Sequence, residues 1–211
     1  MTQQELATEQ VEAAEQQRLF GVLPNFYSSY VWDAAPLTTK LKFNLALRSA
    51  TDPVTILSSG FLAGVQQAGN TFPGYGQESG GYLQRFGAAY GDDVISRMLG
   101  SAILPSMLRQ DPRYFYKGSG TKRSRILYAI AATVVCKGDN GHWQPNYSYL
   151  GGSLAAGGIA NLYHPGGDRG TSLTFRNFTI DTGGHALNNL MREFVFKKLT
   201  TKVPAYSQGK P

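Results

Sequence analysis

The chain is poor in charge, in cysteine and in long apolar runs. Charged residues fill 16% of its 211 positions, against about a quarter in an ordinary soluble domain, so there is little charge to spread over a wet surface. The one cysteine, Cys136, excludes an internal disulfide and any cysteine-rich metal site. His142, His164 and His185 fall on separate segments without metal-ligand spacing, so neither a metal nor a cofactor is expected. No window reaches the roughly 18–20 consecutive apolar residues of a membrane-crossing helix. The nearest, residues 56–65, 126–135 and 150–162, are short or interrupted by Gly and Ser. Residues 1–18 are polar and acidic and lack the apolar core of a secretory leader. Without a dense Lys/Arg tract interleaved with aromatics, nucleic acid is not an expected partner.

Small and aromatic residues are plentiful: 25 glycines, 12 tyrosines and 11 phenylalanines, in a chain that is 42% hydrophobic. The net charge of +6 divides unevenly. Residues 1–18 carry −3 and the remainder +9, and a basic body attracts anionic lipid or an acidic partner.

The apolar pattern is helical. Residues 2–17 read as an acidic helix or loose arm, and residues 22–27 as an extended segment whose aromatics seek a groove. Thr38 or Thr39 caps a helix to about Ser49, and Thr51-Asp52-Pro53 is a strong start for another to about Ala68. Tyr82, Phe86, Tyr90, Val94 and Met98 recur every four residues, the stripe of a long helix to about Arg109, which Pro105 should kink or split. Further helices are expected over 124–136, 149–163 and 179–199, with a polar loop at 137–147 and partly extended chain at 173–180. The expected fold is all-α: one bundle domain, 21–203, of five or six short Gly/Ala-rich helices with long loops. An acidic arm (1–20) and a loose tail (204–211) flank it.

Several patterns carry chemistry. Gly60 and Gly64, Gly87 and Gly91, and Gly151, Ala155 and Gly158 have the spacing that lets backbones approach closely, inside one bundle or between copies. Asp93 and Arg97 can pair along their helix, and Arg85, Asp92, Asp93 and Arg97 could form an interior network. Asp181 and His185 stand four residues apart, as a carboxylate orienting a general base would, but no nucleophile elbow accompanies them, so no catalytic residue is assigned. Gly74-Tyr75-Gly76 lacks the Lys-Ser/Thr of a phosphate loop. The densest junction is Leu104 to Phe115, where an apolar run meets Pro105, Arg109, Asp111, Pro112, Arg113, Tyr114 and Phe115. Cations beside aromatics match a membrane-interface belt, which makes Arg109, Arg113, Tyr114, Phe115, Lys117 and Arg123 the candidate binding residues.

A motif series runs through residues 18–170: Val22-Leu23-Pro24-Asn25-Phe26, Ala50-Thr51-Asp52-Pro53, Pro73-Gly74-Tyr75-Gly76-Gln77, Arg85-Phe86-Gly87-Ala88, Gln110-Asp111-Pro112-Arg113-Tyr114-Phe115 and Asp139-Asn140-Gly141. It resembles an uncharacterised bacterial cell-envelope family of acidobacterial type. The resemblance implies export, hence a periplasmic or outer-membrane location once a leader is removed, and carries no activity with it. The expected function is a non-enzymatic, membrane-associated binding or structural protein whose partner is anionic lipid or an envelope protein. The alternatives are a lipid- or phosphate-ester hydrolase using Asp181 and His185, and a module that self-assembles through its Gly/Ala helices.

Overall fold

The computed structural model describes residues 2–15, 18–19, 23–24 and 27–201, and the chain is mainly helical. Helix α1 (Gln3–Glu15) is no loose arm. Ala7 and Val11 are buried, and Val11 joins a core cluster with Tyr27, Leu37 and Leu45. Gln10 fixes it further by accepting the Ala35 N–H at 2.9 Å. Strand β1 (Arg18–Leu19) lies between β2 (Leu23–Pro24) and β7 (Thr200–Thr201), antiparallel to both, which ties the first segment to the last. The expected groove-seeking segment lies partly outside the described residues, at Val22, Asn25 and Phe26, and the tail at 204–211 lies outside them entirely.

Helix α2 (Thr39–Ala50) starts where Thr38 accepts the Leu41 N–H, and α3 (Pro53–Ala68) where Asp52 accepts the Val54 N–H with Pro53 in the first turn. Arg85, fully buried, then shapes the glycine-rich loop that follows. Its guanidinium donates to Gln67 Oε1 and to the carbonyls of Thr71, Phe72 and Gly76. This loop is thus folded around an arginine and is no phosphate cradle.

Helix α4 (Ser79–Arg97) carries the expected stripe. Tyr82 and Tyr90 donate to the carbonyls of Gly60 and Ala50, so the aromatics bridge α4 to α3 and α2. Pro105 neither splits nor ends this helix. A π-helical segment (Met98–Ile103) widens the turn ahead of it and leads into α5 (Leu104–Leu108). The wider turn accommodates a residue that has no N–H to give and a ring that crowds the preceding carbonyl. The helix ends at Arg109, a non-glycine residue in the left-handed region at φ 53°.

Helix α6 (Lys122–Ala131) stops earlier than expected, and Cys136 lies in strand β5 (Val135–Lys137) instead. Thr133, Val134 and Val135 are β-branched and favour extended chain. β5 pairs with β6 (Trp143–Pro145) across a turn with Gly141 at φ 79°. Residues 173–180, expected in part as extended, are helical within α8 (Thr171–Met191). Leu173 draws that stretch into the fold by packing against Phe72 and Ala160. A second π-helical segment (Arg192–Phe196) and α9 (Lys197–Leu199) continue α8.

Helix α7 (Tyr147–Ala160) is the hub, packed against α4, the first π segment, α5 and α8. Its close contacts are not at the expected positions. A Cβ on Gly152 would lie 2.6 Å from the Gly100 backbone, and one on Gly157 would lie 2.6 Å from the Thr174 carbonyl. Gly151, Ala155 and Gly158 face outward on the opposite side of the helix.

Candidate functional site

The candidate binding residues divide. Arg113 is 8% exposed, and its guanidinium meets Asp111 at 2.6 Å (Nη2–Oδ2) and 3.0 Å (Nε–Oδ1) while also donating to the Ala35 carbonyl. Asp111 Oδ1 accepts the Arg113 N–H as well, so the pair closes a turn around Pro112. Tyr114 and Phe115 are buried and form β4, parallel to β3 (Ser28–Ser29). The Tyr114 hydroxyl donates to Glu193 at 2.7 Å. These three side chains lock a corner and present nothing to a headgroup, which corrects the reading of them as surface anchors. Arg109 and Arg123 are exposed. Lys117 is half-buried, with Nζ 2.5 Å from Ser124 Oγ and 5.6 Å from the centre of the Tyr128 ring.

Two other buried charges are likewise satisfied, whereas Arg192 has an enclosed Nε without a partner among the described residues. Lys42, 1% exposed, meets both Asp139 oxygens at 2.8 Å and the Pro105 carbonyl at 3.2 Å. Glu193, also 1% exposed, accepts from Tyr114, Arg125 Nε and the N–H groups of Lys117 and Gly118. Buried charge is tolerated only when paired and hydrogen-bonded, and each of these ties together distant parts of the chain.

The expected Asp–His pair is not the one that forms. Among the described residues, Asp181 Oδ2 accepts from Ser96 (2.8 Å) and Ser153 (2.9 Å) rather than from His185. His185 instead stacks on Tyr149, ring centres 4.1 Å apart. Burial, reinforced by Arg192 and Arg97, pushes its imidazole down to about 3. A carboxylate does meet a histidine elsewhere. Asp92 accepts from Tyr163 and Asn177 and lies 3.1 Å from His164 Nε2. His164 is 1% exposed, and its other ring nitrogen is enclosed without a partner, the ring edge-on to Phe72. With that nitrogen enclosed, Asp92–His164 is a hydrogen-bonded pair within the fold, and only its carboxylate side reaches a pocket. Asp92, Asp93 and Asp181 line a partly open pocket of about 250 Å³ between α3, α4, α7 and α8, with exposed Val65 and Ile180 at its edge. Among the described residues, no group of three or more His, Cys, Asp or Glu side chains could hold a metal ion.

The interior mixes small and apolar residues with large polar ones, and much of the exterior is apolar. The largest fully buried side chains include Arg85, Lys42, His164, Gln110, Glu193 and Asn189, while many large apolar residues point outward. Helix α3 has no charged residue in 16 positions and exposes Ile56, Leu57 (72%), Phe61 (76%), Leu62 and Val65. Helix α7 has no charge in 14 positions and exposes Leu154 and Ile159, with Leu162 (76%) just beyond its end. Leu83 on α4, Met107 and Leu108 on α5, and Phe175, Ile180 and Leu187 on α8 are exposed as well. On α6 the exposed cations Lys122 and Arg123 precede exposed Ile126, Leu127 and Ile130, so charge sits at one end of an apolar stripe. Isolated exposed apolar residues are ordinary, but this many on uncharged helices are not. Among the described residues, no helix is long and apolar enough to cross a membrane.

Sequence could not have found Asp92–His164 or Lys42–Asp139, whose partners are far apart in the chain and share no helical spacing. The apolar exterior had one signal, the charge-free stretches 53–68 and 147–160. No protein-family model, no curated protein and no solved structure matches this chain.

Proposed function

We propose that this protein is a non-enzymatic component of the bacterial cell envelope, a Gly/Ala-rich helical bundle embedded in one leaflet of a lipid bilayer. The observation that carries this reading is the set of large apolar side chains exposed on the uncharged helices α3 and α7, over an interior that holds hydrogen-bonded charges beside small and apolar residues. Water makes that arrangement unfavourable by about 25 cal/mol for each Å² of apolar surface left exposed, whereas acyl chains remove the penalty. Helices too short and too interrupted to span suit immersion to partial depth. Arg109 and Arg123, at the ends of apolar stripes, would meet phosphate headgroups, with Lys122 beside them. Because acyl-chain contact supplies most of the binding, association should resist salt, unlike attachment by charge alone.

Flotation on liposomes of phosphatidylethanolamine and phosphatidylglycerol tests this. The protein should float at low salt and remain bound in 1 M salt. Protein left at the bottom of the gradient, or released by salt, overturns the reading. Self-assembly is a second reading with its own observation. Gly64, Gly87 and Gly158 lie within helices with open space where a Cβ would stand, room that a second copy's backbone could use. A defined oligomer by light scattering, in detergent and without lipid, would favour it.

A further inference from the structure

Both tryptophans of the chain open onto one pocket. Trp32 lies in the loop after β3, Tyr128 on α6 and Trp143 on β6, and with Ala131, Ala132, Val135 and Lys117 they line a cavity of about 280 Å³. The rings are mutual neighbours. Trp32 lies 5.9 Å from Trp143 and 6.1 Å from Tyr128, both tilted, and Tyr128 stands edge-on to Trp143 at 6.0 Å. Trp143 is 42% exposed, so the pocket is reached from outside.

The lining narrows the ligand to one chemistry. A cation is disfavoured because a cation already occupies the aromatic cluster. The ammonium of Lys137 donates to the Trp32 carbonyl and sits 4.4 Å from the Phe115 ring centre, 4.8 Å from Trp32 and 5.7 Å from Trp143. Among the described lining residues none is acidic, and Lys117 adds a second ammonium. A polyhydroxylated sugar fits poorly too. The Tyr128 hydroxyl is committed to the Phe115 carbonyl at 2.6 Å, and alanine and valine make the rest of the wall, so most sugar hydroxyls would lose water without gaining a partner. A flat aromatic body meets ring faces at favourable offset or edge-on angles. Lys117 Nζ has three donors and, among the described residues, gives one to Ser124, leaving two for an anion.

We infer that this pocket binds an aryl carboxylate, its ring held between Trp32, Tyr128 and Trp143 and its carboxylate by Lys117. The inference does not rest on the lipid reading: α6 contributes to both, but the pocket is lined by Tyr128, Ala131 and Ala132 of that helix and not by its exposed Ile126, Leu127 and Ile130. The protein in a mild non-ionic detergent is titrated with 4-nitrobenzoate, a quencher of indole emission, and separately with neutral 4-nitrobenzyl alcohol. Because Trp32 and Trp143 are the only indoles, quenching reports on this pocket directly. Saturable quenching is expected, with the acid roughly tenfold tighter than the alcohol, the factor one charge-assisted hydrogen bond supplies. Lys117→Met should bring that ratio close to one, Lys117→Arg should preserve it, and Trp143→Leu should abolish saturation while the far-ultraviolet circular dichroism is unchanged. Non-saturable quenching with equal slopes for acid and alcohol overturns the inference and leaves the rings as interfacial anchors. An unchanged acid-to-alcohol ratio in Lys117→Met overturns it as well.

Discussion

Replacing Arg113 with methionine removes the guanidinium while keeping most of the apolar stem, and it separates a structural lock from a ligand site. In the structure the guanidinium makes three contacts of 2.6, 3.0 and 3.2 Å with the Asp111 carboxylate and one of 2.7 Å with the Ala35 carbonyl. The two side chains of the pair are 5% and 3% exposed. Arg113→Met therefore strands a buried carboxylate, and breaking a buried pair in this way costs about 3–5 kcal/mol. Asp111→Leu combined with Arg113→Met removes the stranded charge. The double variant should lose about 2–3 kcal/mol less than the sum of the two single variants, because each single variant includes a penalty the double one lacks. Urea unfolding in detergent, followed by tryptophan emission, gives all four corners of the cycle. If Arg113→Met loses less than about 1 kcal/mol and instead weakens binding to anionic vesicles, the lock is wrong and Arg113 is a headgroup ligand.

Three further predictions concern packing, pH and reactivity. Gly152→Ala should destabilise by about 1–3 kcal/mol because its methyl meets the Gly100 backbone. Gly87→Ala, in open space on α4, should stabilise by about 0.5–1 kcal/mol in the same urea assay, and a loss at Gly87 would point to a partner packed there. His185, with its imidazole pushed down to about 3 by burial and by Arg192 and Arg97, binds its proton less readily folded than unfolded. Its contribution is thus complete above about pH 6.5 and is lost as pH falls toward 3. His185→Phe, which keeps the stack on Tyr149, should flatten the stability profile across that window by up to about 1.4 kcal/mol per pH unit. Burial, with Asp111 and Asp139 nearby, pushes the Cys136 thiol up to about 12. Maleimide labelling of the folded protein at pH 7 should therefore be negligible and become complete only in denaturant.

Much of the helical frame was legible because it rests on local rules. The caps at Thr38 and Asp52 and the four-residue stripe of α4 are written in adjacent residues, and all three hold. The failures come where distant packing decides. Residues 173–180 looked ambiguous alone, yet Leu173 finds Phe72 and Ala160 and the stretch becomes helix. Cys136 sat in an apolar run that read as helix, but β-branched neighbours and a partner strand at Trp143 made it a hairpin. Pro105 shows a rule that applied with an unexpected outcome, since the turn widened before the proline instead of breaking at it. In the corner at 111–115 the residue types were informative and their direction was not. Arg, Tyr and Phe beside one another fit an interface belt and a buried lock equally well until burial is known. The aromatic pocket was the least accessible of all, because Trp32, Tyr128 and Trp143 come together only through β5–β6 and α6.

The central claim is that the exterior of α3 and α7 faces acyl chains. Because Cys136 is buried, spin labels can be placed singly at Phe61→Cys, Leu162→Cys and, as a control on an exposed loop, Ser119→Cys. Collision with oxygen, which concentrates in hydrocarbon, is then compared with collision with a water-soluble nickel chelate in phosphatidylethanolamine–phosphatidylglycerol liposomes. The account predicts that oxygen dominates at 61 and 162 and nickel at 119. Nickel dominating at all three positions would contradict it.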